Sequence, residues 1–238
     1  MNAIEIVNVT KSYSHKNVLC GIDLSIPQGV ICALVGANGS GKTTLLRILA
    51  GLTKPTGGRI EILSRTVKPD RSMAEVSFMF EPSPVDERLT AYQNLKLRCL
   101  ALGQSTKQIP ALLQQVGLQN DNKQVKNFSA GMKKRLEFAY ALIGSPKILI
   151  LDEPFTGLDV AGIEILINVL KDYKEQNATV LIAEHNFSVV EKIADSLAVL
   201  YQGKILKKIE KNQLTARQQN MEAFFRESIE LHEKTSEI

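Results

Sequence analysis

The chain has 238 residues, of which 44% are apolar, enough to pack one large domain or a core with an inserted subdomain, so a disordered segment is excluded. Its 29 basic and 25 acidic residues leave a net charge of only +4, and no stripe rich in arginine and aromatics points to nucleic acid, which is not the expected ligand. No apolar run approaches the ~18 residues that span a bilayer, and residues 1–5 carry no basic and then apolar leader, so a membrane role would need a separate subunit. Cys20, Cys32 and Cys99 lie in or beside apolar runs without CxxC spacing and read as reduced core thiols of a cytoplasmic protein.

Residues 3–9 alternate as a strand, and a second strand over 19–26 meets the turn Pro27-Gln28-Gly29, which predicts an antiparallel, hairpin-like flank. An apolar strand over 30–35 follows, then Gly36-Ala37-Asn38-Gly39-Ser40-Gly41-Lys42-Thr43, then a helix over 43–50. Strand, GxxxxGK[ST] loop and helix in that order suit phosphate binding. Glycines let successive backbone N–H groups close around phosphate oxygens, and the helix N-terminus adds its dipole. Lys42 is expected to reach the outer phosphates and Thr43 to place its hydroxyl on magnesium, so a nucleoside triphosphate is the expected ligand.

Short strands over 58–63 and 75–80 lead into a helical stretch that lasts to about residue 144. Its first helix begins with a Thr90-x-x-Gln93 capping box before Leu95, Leu97 and Leu100. Its second starts near Ser105 and Thr106 with Pro110 in the opening turn, and Gly103 and Gly117 close the two. Residues 147–151 are a buried strand ending in Asp152 and Glu153, a place where carboxylates face phosphates bound at the same sheet. Asp152 suits magnesium, and Glu153 suits the orientation or deprotonation of attacking water. A helix over 160–173 sets Ile163, Leu166, Leu170 and Tyr173 on one face. Strands over 178–183 and 197–201 flank a helix over 187–194, and a strand pair over 199–207 turns at Gln202-Gly203. Met221, Phe224, Phe225 and Ile229 give the end a docking face, with 233–238 expected to fray. His15 and His232 read as solvated, as does the basic run Lys133-Lys134-Arg135 on its helix face.

Phe128-Ser129-Ala130-Gly131-Met132 stands 23 residues before Asp152, and Ser129 is placed to cap the helix that follows through Leu142. With this segment in register with the motifs around it, the chain resembles the nucleotide-binding subunit of an ATP-binding cassette (ABC) transporter over nearly its full length. The segment takes the place of the family's LSGGQ signature. The resemblance implies an α/β fold: a phosphate-loop NTPase core with a mainly parallel sheet, an N-terminal antiparallel β subdomain and an inserted helical subdomain. The units would be 1–84 with 145–210, then 85–144, then a tail over 211–238.

The resemblance also implies site residues. Tyr13 would stack on adenine, with Val18, Gly36, Asn38, Gly39, Ser40, Gly41, Lys42, Thr43 and Thr44 around the rest of ATP. Ser129 and Gly131 would bind the ATP of a second subunit, residues 155–159 would form the D-loop with Asp159 at the nucleotide, and His185 would contact the γ-phosphate. Thr43, Asp152 and Glu81 would surround Mg2+, with Glu153 and His185 catalytic. Two departures stand out. Ala130 and Met132 replace a glycine and glutamine of the signature, while Ser129 and Gly131 keep the parts that touch phosphate. Glu81 stands at the glutamine of the Q-loop, where a carboxylate is a better ligand for a hard cation. A glutamate there resembles exporters that protect cells against lantibiotics and bacitracin-like peptides. Residues 89–95, 132–136 and 221–225 are similar to such ABC-2 type exporters too.

These likenesses imply an ATPase that works as a head-to-tail homodimer, or a heterodimer with a related subunit. It would drive an integral membrane permease on a separate chain from the cytoplasmic face of the membrane. The alternative is a soluble ABC ATPase similar to iron-sulfur assembly or ribosome-associated factors. Against the ribosome-associated type stands the single cassette, and against a repair ATPase the short spacing from loop to signature. A nucleotide sensor without turnover is disfavoured by Glu153.

Overall fold

The structure, a computed structural model, describes residues 1–14, 16–68 and 75–236, so His15 lies outside the described residues. β1 (Asn2–Tyr13) and β2 (Lys16–Pro27) pair along their whole lengths, longer than the alternating pattern predicts. β4 (Gly57–Ile62) and β5 (Arg65–Thr66) extend them into an antiparallel sheet of order β2-β1-β4-β5. The turn at 27–29 therefore joins two sheets and closes no hairpin: β3 (Ile31–Val35) enters a second sheet.

That second sheet has the order β10-β9-β3-β8-β7-β6, with β6 at Val76–Met79, β7 at Ile148–Asp152, β8 at Thr179–Ala183, β9 at Ser196–Tyr201 and β10 at Lys204–Glu210. Its strands pair in parallel except for β9 with β10. β3 is an unbroken apolar run and β8 is apolar after Thr179, and both are buried along their whole lengths because helices or the other sheet cover both of their faces. Ile31, Ala33 and Val35 point into one core, and Cys32 and Leu34 point into the other, as the two-residue period of a strand dictates.

The second of these cores holds α1 (Lys42–Leu49) against the antiparallel sheet through Leu45, Leu46, Ile48 and Leu49. The first holds α2 (Ala91–Ala101), α3 (Ile109–Gln115), α4 (Ala130–Leu142), α5 (Val160–Glu175), α6 (Phe187–Ile193) and two C-terminal helices, α7 (Lys211–Ala216) and α8 (Met221–Ser236). The capping box forms: Gln93 N–H donates to Thr90 Oγ1 at 3.2 Å and Thr90 N–H to Gln93 Oε1 at 2.9 Å. Leu95 packs inward, whereas Leu97 and Leu100 are exposed, so the helix buries a narrower stripe than its leucines suggest.

The C-terminus differs from expectation in three ways. α7 is a further helix, and α8 stays helical to Ser236 where fraying was expected. Its late turns are held, since Tyr201 Oη donates to Glu233 at 2.7 Å and the His232 ring meets Tyr201 edge-on at 5.9 Å, so His232 is packed and not simply solvated. Residues 237–238 lie outside the described residues. Among the described residues no helix is long and apolar enough to cross a membrane. Cys32 and Cys99 are buried free thiols, as expected, while Cys20 is only half-buried.

Candidate functional site

The central sheet places β8 between β3 and β7, so three carboxyl ends open side by side. β3 runs into the glycine loop, β8 into Glu184 and His185, and β7 ends in Asp152 with Glu153 next. This is the edge at which open α/β sheets bind ligands. β6, beyond β7, delivers Glu81 just past its end.

Two glycines set the shape of the loop. A Cβ on Gly36 would stand 2.2 Å from the carbonyl oxygen of Leu200, and Gly41 has φ 111° with its missing Cβ 2.8 Å from Leu19 Cδ2. The loop therefore lies pressed between β2 and β9. Gly41 is also the N-cap of α1 and gives its first amides no side-chain partner, which leaves them to an anion. Ser40 Oγ is buried without a hydrogen-bond partner among the described residues, a cost that a phosphate oxygen would remove. Lys42 donates to Gly36 O at 2.7 Å and Ala37 O at 3.2 Å. Burial pulls its pKa down while Glu153, Asp152 and Glu184 push it back up. An unfilled hydroxyl, uncapped amides and an ammonium resting on loop carbonyls together fit a polyphosphate. The loop opens on a cavity of about 530 Å³.

Across the cavity, burial pushes the Asp152 carboxyl above its ordinary pKa, and a hydrogen bond from Thr43 works against that rise. Glu153 takes φ 49°, a left-handed backbone that costs a residue with a side chain about 1–2 kcal/mol. Its N–H is held by Ala183 O at 2.9 Å, and Thr156 Oγ1 donates to its Oε2 at 3.4 Å. His185 Nδ1 stands 3.5 Å from Glu153 Oε1 and 3.6 Å from Glu184 Oε1. A smaller hollow of about 390 Å³ brings Thr43, Asp152 and Glu153 together with Arg47, Glu81 and Lys134. Thr43, Asp152 and Glu81 there offer one hydroxyl and two carboxylates, hard oxygen donors that suit magnesium alongside water and phosphate.

Glu81 is 79% exposed and ion-paired to Lys134 Nζ at 3.5 Å, and the same ammonium lies 3.5 Å from Glu137. Arg47 donates to the Glu81 carbonyl at 3.1 Å. The basic run 133–135 is therefore not a solvated face. Lys134 is only 14% exposed, and Arg135 donates to the carbonyls of Val116 and Gly117.

The profile of the ABC transporter family matches residues 19–156 of this sequence. The chain belongs to the ABC transporter family. It is 41% identical to the lantibiotic transport ATP-binding protein of Streptococcus pyogenes, over 85% of this chain and 89% of that one. Similarity to the bacitracin transport ATP-binding protein of Bacillus licheniformis is 36% identity over 87% of this chain and 69% of the relative. Among solved structures, an ATP-binding subunit of an ABC transporter superposes with TM-score 0.86 at 27% identity, covering 95% of this chain and 99% of its own. A dimeric bacterial ABC transporter cassette gives 0.79 at 25% identity, over 87% and 98%. This ABC cassette is accordingly an ATP-binding and ATP-hydrolysing subunit.

Within the cassette the predicted site residues do not all meet in one place. Val18, Asn38, Gly39, Gly41, Lys42, Thr43, Thr44 and Glu153 line the large cavity. Lys16, Asn17, Gln202 and Gly203 line it as well, although the sequence marked Gln202-Gly203 only as a turn and gave no signal for the other two. Tyr13 ends β1, about half exposed, with Lys11 Nζ 4.5 Å from its ring centre. Ser129, Gly131 and Asp159 line neither hollow. Ser129 Oγ accepts from Met132 N–H at 3.2 Å as the N-cap of α4, and Asp159 Oδ1 accepts from Gly162 N–H at 2.8 Å as the N-cap of α5. A Cβ on Gly131 would lie 3.4 Å from Gly157 O, so the start of α4 packs on the loop before α5 in its own chain.

Proposed function

We propose that this cassette powers export of a peptide antibiotic of the lantibiotic or bacitracin class, as a dimer seated on the cytoplasmic face of a permease carried by a separate chain. The substrate class rests on the two relatives and on Glu81 at the Q-loop position. The single observation that carries the dimer is the division of the site: loop and carboxylates line the two hollows and His185 stands 3.5 Å from Glu153, while Ser129 and Gly131 line neither hollow. A second copy, or a related cassette, turned head to tail would bring its signature helix over the first cavity. The helical segment 85–144 is taken as the subdomain that carries the signature, with 1–84 and 145–210 as the catalytic core and 211–238 as the tail.

In this reading Lys42 leaves the loop carbonyls for the outer phosphates, and the α1 amides with Ser40 Oγ hold the inner ones. Thr43 and Asp152, with Glu81 at hand, would hold Mg2+, which when bound would neutralise phosphate charge. Glu153 accepts the proton of attacking water, and His185 beside it holds the γ-phosphate end. Amides at the partner's Ser129 and Gly131 close the site. Tyr13 stacks on adenine once it turns from Lys11.

Glu153→Gln protein with MgATP tests this directly. Sedimentation is expected to show a stable dimer whose turnover is at least 100-fold below that of the unsubstituted chain. The trapped protein should also retain a multi-spanning membrane protein from detergent extracts. Full turnover by a monomer of the unsubstituted chain would overturn the dimer, and capture of soluble proteins alone would favour the soluble ATPase.

A further inference from the structure

Glu184 belongs to none of the motifs that define the site. It follows the last residue of β8 and is 1% exposed. Its Oε1 accepts two backbone hydrogen bonds, from His185 N–H at 2.9 Å and Asn186 N–H at 3.0 Å, and lies 3.6 Å from His185 Nδ1. Asn186 then caps α6, its Oδ1 accepting from Ser188 N–H at 3.1 Å. Oε2 is buried with no hydrogen-bond partner among the described residues. A carboxylate shut away from water with one oxygen unfilled is a poor choice for stability alone, since desolvation exceeds what a partial set of hydrogen bonds returns. The link from β8 to α6 is only three residues long, 184–186, and it carries the histidine beside Glu153. The His185 side chain is 61% exposed, so packing does little to fix it.

We propose that Glu184 is the positioning residue for His185: its buried carboxylate clamps both amides of the turn and so aims the imidazole at Glu153 and the terminal phosphate. The inference rests on the reading of His185 given above. Oε1 supplies the clamp, so the aim of His185 depends on the geometry of Glu184 and not on its charge. The Glu184 N–H donates to Leu34 O at 3.4 Å, which places this residue beside the end of the strand that runs into the phosphate loop.

Three variants and two readouts test this. Glu184→Ala is expected to lower kcat at least tenfold with KM for ATP within about twofold, the loss of a transition-state contact and not of binding. Glu184→Gln keeps an acceptor at Oε1 and should restore kcat to within about threefold, while Glu184→Asp, one methylene short, should stay at least fivefold low. In nucleotide-free protein, hydrogen exchange at the amides of His185 and Asn186 should be slow for the original chain and the Gln variant and fast for Ala and Asp. Should the Ala variant fail to fold, the Asp and Gln pair carries the comparison. Amides that stay protected in the Asp variant, or a Gln variant no better than Asp, would overturn the proposal. Fast exchange in the Asp variant with unaltered kcat would keep the clamp and remove the role given to His185.

Discussion

Burial of Asp152 at the end of β7 raises its pKa, so the folded chain holds that proton more tightly than the unfolded one does. The charged carboxylate therefore costs stability at pH values above the raised pKa, and the cost fades as pH falls through it. Asp152→Asn is expected to raise the melting temperature of nucleotide-free protein by roughly 3 °C at neutral pH. The gain should shrink towards about pH 4, near the ordinary aspartate range. Thermal scans across pH check this, and an Asn variant less stable at neutral pH would mean that the Thr43 bond outweighs desolvation. Glu81 and Lys134 behave differently: the pair with mostly exposed Glu81 is worth less than about 1 kcal/mol, and Lys134→Gln should cost more than that in denaturant unfolding because it also takes the partner from Glu137, which is 12% exposed. The substitution should also shift the magnesium concentration at which ATP raises the melting temperature, and Glu81→Gln should abolish that shift. Equal shifts in both backgrounds would mean that the two side chains act independently. The loop glycines, Lys42, Asp152 and Glu153 were legible because their chemistry needs fixed local spacing. Arg47, Lys134, Glu184 and Gln202 were not, because only the fold carries them to the site.

Helix ends in this chain are specified by side chains that can be read locally, and the capping box of α2 is the clearest. Thr90→Ala should destabilise the protein by about 1 kcal/mol in denaturant unfolding while leaving KM for ATP unchanged, because the cap lines neither hollow near the phosphate loop. A large change in KM would tie α2 to the nucleotide site more directly than its position suggests. Gly36→Ala should do the reverse, weakening ATP binding at least tenfold, since its Cβ would meet a backbone oxygen of β9 that cannot step aside. Isothermal titration reads that loss, and affinity within twofold would show that the loop can shift. Element type followed from periodicity in most of the chain. What periodicity could not give was the depth of burial: Leu97 and Leu100 look like core and face solvent, and the turn at 27–29 looks like a hairpin and joins two sheets. Both depend on which surfaces other elements leave free.

At the scale of the molecule, the strand that carries the phosphate loop is flanked by strands distant in sequence. Ala33 pairs with Ile182 on one side and with Leu197 on the other, and Gln202 and Gly203 complete the cavity wall. Contacts of this range form late and slowly, because the intervening chain must be ordered first. A chain ended at residue 178, which contains the loop, α1, Asp152 and Glu153, is expected to show no ATP-dependent rise in melting temperature, whereas the full chain does. Nucleotide binding by that fragment would mean that β3 and α1 form the loop without β8 and β9. The arrangement has a consequence in time. During synthesis the loop emerges early and one wall of its cavity, at Gln202 and Gly203, emerges much later, so a ribosome-bound chain is expected to carry every residue of the motif before it can hold ATP. Capture of the first nucleotide would thus report that translation has delivered the strands which close the sheet.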